Sequence, residues 1–338
     1  MNTGGPARYF LRCETLDDIK NGLAFAKTKK LGVLVLGGGS NVLISDHGFS
    51  GVVLHLETKE LSIGNDGIVI ASAGINWSNL VENCCQKGLS GMEALAGIPG
   101  LVGATPIQNV GAYGQEVSNL ILKVYALDKV SLKTITFTAD ECQFGYRRSR
   151  FKTSDLDQFI ITSVIFQLSP NLHPHPRYEE LKVSIEADAR WSKADRLQQI
   201  TLMTEHVLRL RASKGMLLDA HDLDSRSVGS FFINPLVTQS TKEKIELIVS
   251  EAAVTRPFVA HPSPNGQWKL SAAWLIENSG IHRGQTLNGA RVSTKHVLAL
   301  TNPGQASTKD ILELADLINS SVEKKFGIRL EREPVIIS

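Results

Sequence analysis

The stretch Gly32-Val-Leu-Val-Leu-Gly37-Gly38-Gly39-Ser40-Asn41-Val-Leu-Ile44 sets the reading of the chain. Its apolar start reads as a short buried strand, and Val42–Ile44 as another. Between them, five small residues let the backbone turn sharply and aim several N–H groups at one point. Such a concavity binds phosphate without a basic side chain. A plain glycine-rich turn is the alternative for this motif taken alone. The Rossmann fingerprint is not met, because Val42 stands where the last glycine is required. A P-loop is excluded, because no Gly-Lys-Ser/Thr follows.

Working outward, Val52–Leu56 and Ile68–Ala73 read as strands. Trp77, Leu80, Val81, Cys84 and Cys85 then fall on one face of a helix that Gly88 stops. Residues 88–114 hold seven glycines in 27 positions. Leu, Ile, Val and Pro are interleaved with them, which a polar linker would not show. Pro99 stands where a helix could start. Glycine in regular structure costs about 0.5–1 kcal/mol per residue, which favours a purpose for the cluster. Gly97, Ile98, Pro99, Gly100 and Gly103 permit close backbone approach to a flat or charged ligand. Gln108, Asn109 and Tyr113, set among Gly111, Ala112 and Gly114, add hydrogen-bonding groups. Together with the first loop they fit a dinucleotide.

Further on, Ile121–Leu127 and Leu132–Phe137 read as one hairpin, and Phe159–Leu168 as another strand. Arg177–Ala189 and Ser192–Ser213 read as helices. The second has a stripe of Leu197, Ile200, Thr204, Val207, Leu208 and Arg211. The proline-rich run from Pro170 to Pro176 is an interdomain connection or a functional loop. Ser307 and Asp310 form a capping box for a helix to about Lys325, which Gly327 ends. Ile328–Ile337 reads as a closing strand, with Glu331 and Glu333 on one face. Phe144-Gly-Tyr146-Arg147-Arg148-Ser149 offers guanidinium groups suited to carboxylate or phosphate, or else a solvated surface pair. Gly229-Ser230-Phe231-Phe232-Ile-Asn234-Pro235 sets a hydroxyl beside large apolar residues that would desolvate it. It is not a nucleophile elbow, so a capping role or an acid role remains for Ser230.

At 338 residues, a prior of ~150 per domain gives two or three domains. The net charge of +2 argues against a polyelectrolyte binder. The apolar run at Phe159–Leu168 is interrupted by Thr162 and Ser163 and is too short for a bilayer. Residues 1–14 lack a signal-peptide pattern. Four cysteines show neither disulfide nor zinc spacing, and no histidine pairs with a carboxylate as a metal site. The expectation is a metal-free cytoplasmic protein that engages neither nucleic acid nor membrane.

Taken in order and spacing, the motifs at 37–46, 97–114, 144–149, 229–235 and 330–333 resemble the UDP-N-acetylenolpyruvoylglucosamine reductase family over nearly the whole chain. The resemblance implies an α+β, non-Rossmann two-part FAD-binding fold of the p-cresol methylhydroxylase/vanillyl-alcohol oxidase type, with a C-terminal substrate domain. It implies a first FAD-binding part at 1–56 plus 334–338, a second at 57–205, and UDP-sugar binding at 206–333. FAD would be bound non-covalently. Gly37, Gly38, Gly39, Ser40 and Asn41 would hold its pyrophosphate, and the glycines to Gly114 would wrap the remainder. NADPH would supply hydride by way of FAD to the enolpyruvyl group of UDP-N-acetylglucosamine enolpyruvate, a step of peptidoglycan precursor synthesis. Arg147 would stabilise the developing carboxylate charge, Glu333 would assist by hydrogen bonding, and Ser230 would donate the proton. Lys214 and Asn234 match diphosphate and substrate contacts, Tyr178 a lid tyrosine, and Tyr146 and Glu277 further substrate contacts. The spacing from Lys214 to Ser230 is longer than the family's commonest pattern. A monomer is expected. Two other classes compete: another flavin oxidoreductase of the superfamily, and a non-enzymatic nucleotide-sugar binder. The early glycine loops offer no His or Cys for covalent flavin attachment. Retention of Ser230, Arg147 and Glu333 speaks against a mere binder.

Overall fold

Half-buried and exposed residues alternate along Ala7–Cys13, as expected for a strand with one covered face. In this computed structural model, which describes residues 1–250, 257–263 and 266–338, that strand lies in a three-stranded sheet. The order is Ala7–Cys13, Phe49–Leu56, Val33–Leu36, and the last two run parallel. Val33–Leu36 is therefore a half-buried edge strand and not the buried strand its composition suggests. Helix Leu16–Lys29 is opened by a capping box of Thr15 and Asp18, and buries Ile19, Leu23 and Ala26.

The chain divides into two units, one of Met1–Pro6, Ser40–Phe49 and Lys214–Ser338, the other of Ala7–Gly39 and Ser50–Ser213. The second unit also holds an antiparallel five-stranded sheet. Its order is Thr134–Thr138, Ile121–Asp128, Phe159–Gln167, Ile68–Ser72, Leu61–Ile63. The expected hairpin is its first pair, with Thr134 opposite Leu127. Helix Trp77–Gln86 buries Trp77, Leu80, Val81 and Cys84, and the Asn76 side chain caps it by accepting from Asn79 N–H. The Trp77 indole N–H donates to the Leu95 carbonyl at 3.1 Å inside this core.

The two later helices of this unit are shorter than their sequence reading. The first spans Glu179–Glu186. The second spans Arg196–Ser213 and is opened by a reciprocal cap: Asp195 accepts from Gln198 N–H and Gln198 from Asp195 N–H, both at 2.9 Å. Its buried face carries Ile200, Met203, Val207 and Arg211, while Leu197 is 53% exposed. The proline-rich run 170–176 lies wholly inside this unit, so it is a loop and not an interdomain connection.

In the first unit a four-stranded sheet runs Ser227–Ser230, Ala299–Thr301, Ala290–Val292, Thr286–Leu287. Val335–Ile337 pairs in parallel with Val42–Ile44. Helix Thr308–Phe326 has the expected capping box at Ser307 and Asp310, and Gly327 ends it at φ +67°. The core includes Phe231, Phe232, Leu275, Ile311, Leu314 and Ile318. The closing strand is only three residues long, against the ten expected. The Asn319 side chain takes both backbone groups of Leu330, at 2.7 and 2.9 Å, and Pro334 has no N–H for a ladder. Before Val335 the segment pairs through the bridge of Phe232 with Arg332 and the flanking bonds Ile233 N–H to Glu331 O and Glu333 N–H to Phe231 O.

Candidate active site

The two glycine-rich segments meet in the second unit. A Cβ at Gly38 would lie 2.9 Å from Gly100 Cα, closer than real Cβ contacts come. A side chain at Gly38 would push the two backbones apart, so glycine there lets them approach this far. The Gly97–Gly103 segment is stitched in place from the side. The Gly100 carbonyl accepts from Trp77 N–H, the Ile98 carbonyl from Ser78 Oγ, and Gly103 N–H donates to the Ala73 carbonyl. These bonds use the backbone groups that a helix after Pro99 would need, so only a short turn forms at Val102–Ala104. Gly39, at φ +66°, faces open space: nothing lies within 4 Å of where its Cβ would be. A supported backbone corner with an open, exposed rim is the form a phosphate cradle takes. The geometry fits an FAD pyrophosphate. Replacing Gly38 with Val is expected to weaken FAD binding at least about tenfold, a loss of 1.4 kcal/mol or more. Fluorescence titration of apoprotein with FAD checks this.

Asn109 is buried beneath the second glycine run. Its Nδ2 donates to Glu116 Oε2 at 2.8 Å and to the Gly145 carbonyl at 3.0 Å, and its Oδ1 accepts from Ser118 N–H. It thus ties residues 109–118 to the turn that carries the arginines. In that turn Gly145 and Arg148 exchange backbone bonds at 3.0 and 3.1 Å, leaving Tyr146 and Arg147 at the tip. Arg147 has φ +54°, and Asn109 and Tyr113 are also left-handed, at +48° and +46°. Non-glycine residues adopt this region at a cost and concentrate there at functional sites. The two arginines divide. Arg148 is exposed, as a solvated residue should be. Arg147 is half-buried, donates to the Gly111 carbonyl at 2.6 Å and the Asn109 carbonyl at 3.3 Å, and lies over the Tyr146 ring at 5.5 Å. Its guanidinium is fixed, which charge stabilisation requires.

Tyr113 and Tyr178 meet edge to face at 5.7 Å. Tyr178 stands at the start of helix Glu179–Glu186 and is 48% exposed. Burial pushes the Tyr113 phenol up to about 12, against the nearby Arg211 guanidinium, which opposes the rise. Tyr113 therefore stays a neutral hydrogen-bonding group. Gln108, Ala112 and Gly114 line the same run, with Gly114 exposed and the other two half-buried.

In the first unit the structure brings Ser230, Glu333 and Asn41 onto adjoining backbone. Ser230 pairs with Ala299, and the ladder is irregular between Ser227 and Ser230, with Gly229 at φ +76°. A bulge of this kind re-aims the side chain that follows it. Glu333 N–H donates to the Phe231 carbonyl at 2.9 Å, which lays Glu333 beside the serine strand. Asn41 joins them: its Nδ2 donates to the Glu333 carbonyl at 3.4 Å, and its own carbonyl accepts from Val335 N–H. Phe231 and Phe232 are fully buried and pack on one another at 5.3 Å in the core, while Ser230 stays half-buried. The phenylalanines anchor the strand in the core beside the half-buried serine. Asn234 Oδ1 accepts from Ala272 N–H, and Glu277 accepts from Arg283 Nη2 at 3.3 Å. Ser40 and Lys214 are half-buried.

A family profile described as UDP-N-acetylenolpyruvoylglucosamine reductase, C-terminal domain, matches residues 221–337, and one described as FAD binding domain matches residues 7–130. A reductase of that name from Thermobifida fusca is 41% identical over 345 residues, spanning 100% of this chain and 94% of its own length. The chain belongs to the UDP-N-acetylenolpyruvoylglucosamine reductase family. A second relative with this name, from Streptomyces coelicolor, is 42% identical over 99% of this chain and 86% of its own length. The crystal structure of the UDP-N-acetylenolpyruvylglucosamine reductase from Thermus caldophilus shares the fold, with TM-score 0.67, 24% identity, and coverage of 99% of this chain and 94% of that one. The α+β class and the FAD-binding domain are thus as expected for the reductase family.

Several residues that hold these segments in place have no role assigned from the sequence. Glu93 is fully buried in the apolar run before Gly97, and its Oε2 accepts from Gly91 N–H at 2.8 Å. A lone carboxylate among Met, Ala and Leu was the available signal. Ser149 donates to the Ile107 carbonyl at 2.6 Å, closing the arginine turn onto the glycine run. Glu116 and Asp224 carried no local signal.

Proposed function

We propose that this chain reduces the enolpyruvyl group of UDP-N-acetylglucosamine enolpyruvate to give UDP-N-acetylmuramate, consuming NADPH, with FAD held non-covalently. The observation that carries this reading is the fixed guanidinium of Arg147, in a chain that also keeps Ser230 and Glu333. Bound FAD supplies the hydride that the terminal enolpyruvyl carbon accepts. Gly37–Gly39 with Ser40 and Asn41 hold the pyrophosphate through backbone N–H groups, and the run from Gly97 to Gly114 encloses the rest.

The remaining chemistry falls to side chains. Adding hydride to one alkene carbon leaves negative charge on its neighbour and on the attached carboxylate. Arg147 meets that carboxylate with a charge already oriented, so little reorganisation is needed as the charge grows. Ser230 gives its hydroxyl proton to the carbon that bears the charge, completing net addition of two hydrogens across the double bond. Glu333 hydrogen-bonds beside this proton transfer. Lys214 and Asn234 grip the diphosphate and sugar, and Tyr146, Tyr178 and Glu277 make further substrate contacts. On this reading residues 206–333 bind the UDP-sugar, residues 1–56 with 334–338 and residues 57–205 hold the cofactor, and the enzyme works as a cytoplasmic monomer.

The test is product analysis. Incubation with NADPH and the enolpyruvyl UDP-sugar is expected to consume one NADPH for each UDP-N-acetylmuramate seen by mass spectrometry. Consumption of NADPH without that product overturns the proposal.

A further inference from the structure

The segment Gly215–Gly229, which separates Lys214 from Ser230, has one buried carboxylate at its centre. Asp224 lies in the short turn Leu223–Ser225 and is 5% exposed. Its Oδ1 accepts from Thr294 N–H at 2.9 Å and from Arg291 Nη2 at 3.1 Å, and its Oδ2 from Thr294 Oγ1 at 2.5 Å. Burial alone would raise its pKa, but the Thr294 bonds and the Arg291 charge outweigh burial and hold it low, so it is ionised. Arg291 belongs to strand Ala290–Val292 of the sheet whose edge strand ends at Ser230. Next to it, Lys295 Nζ donates to Asp222 Oδ2 at 2.9 Å. At the other end of the segment, Gly215 is buried under the same aspartate. A Cβ there would come within 3.0 Å of Asp224 Cβ, and Gly215 has φ +66°.

One carboxylate therefore joins the corner next to Lys214 to the sheet that carries Ser230. Ser230 does not depend on it, because backbone pairing with Ala299 fixes that strand. Gly215, the residue next to Lys214, packs on it directly. The geometry points to Asp224 as a positioning residue that sets where Lys214 meets the substrate diphosphate. This rests on the reading of Lys214 as a diphosphate contact. It also gives the long 214–230 spacing a purpose: the extra chain carries its own tether.

UDP is the probe, since it has the diphosphate and lacks the enolpyruvyl group. In the FAD-loaded enzyme, Asp224→Asn is expected to weaken UDP binding by calorimetry and raise KM for the UDP-sugar, each about tenfold, as loss of charge-assisted bonds at one buried site would give. kcat is expected to stay within about twofold, since uniform binding and not transition-state binding is lost. Thr294→Val, which removes one donor and keeps the shape, should act in the same direction by about threefold. It serves also if Asp224→Asn does not fold. The double variant Lys214→Ala/Asp224→Asn should bind UDP no more weakly than Lys214→Ala alone. Wild-type UDP affinity in folded Asp224→Asn or Thr294→Val, or additive losses in the double variant, overturns the proposal. Unchanged UDP affinity in Lys214→Ala overturns it by a different route, by showing that the lysine assignment is the part at fault.

Discussion

Replacing Ser230 with alanine leaves flavin reduction by NADPH within about twofold of wild type and slows reoxidation by the enolpyruvyl UDP-sugar by about 10²–10⁴, the range for a lost general acid. The split follows from position. Ser230 ends a strand held by the Ala299 pair and by Phe231 N–H to the Leu298 carbonyl at 2.8 Å. Those bonds are backbone bonds, and the neighbouring phenylalanines fill the core, so alanine keeps the strand in place. The glycine cradle is made by other residues, so flavin content should not change. A serine hydroxyl is a weak acid and needs a strongly basic partner, and only the second half-reaction provides one. Anaerobic stopped-flow absorbance measures both steps. Wild-type rates in both would remove Ser230 from the proton transfer.

Arg147→Lys should be nearly as damaging, although it keeps the charge. The guanidinium is anchored by the Gly111 and Asn109 carbonyls and lies over Tyr146. A lysine ammonium has no planar fork with which to hold two carbonyls and still present donors to a carboxylate. The expected loss is about 10²–10³ in substrate reduction, the range for one preorganised donor. Flavin binding and the melting temperature should change little, because the turn is closed by backbone bonds between Gly145 and Arg148. A lysine variant with wild-type turnover would mean that Arg147 does not meet the carboxylate.

Signals that act within a few residues are legible in the sequence. The Ser307/Asp310 capping box, the Trp77 face and the stop at Gly327 each depend on neighbours along one helix, and each is found in the structure. The Asp195/Gln198 cap is an equally local signal, and it sets the helix start at Arg196 and not at Ser192. Val33–Leu36 failed for a different reason: composition reports apolarity, but whether a strand is central or at an edge depends on partners far along the chain. The closing strand failed because Asn319, on another element, takes the backbone of Leu330.

The candidate site divides in the same way. The glycine loops stood out as motifs, but their contact at Gly38 and Gly100 joins residues 62 positions apart. The two adjacent arginines could not be told apart from residue type. What separates them is a left-handed backbone at Arg147, which has no sequence signature in a non-glycine residue. Asp224 was silent because its partners lie about 70 residues away, at Arg291 and Thr294.

The central claim is that one protein accepts hydride equivalents from NADPH and delivers them to the enolpyruvyl UDP-sugar. The direct measurement is the visible spectrum of the purified protein, followed anaerobically through addition of NADPH and then of that substrate. The account predicts a yellow protein that bleaches with NADPH and regains its colour when the substrate is added. A protein that bleaches but regains colour only with oxygen, or one that stays colourless after incubation with FAD, would contradict it.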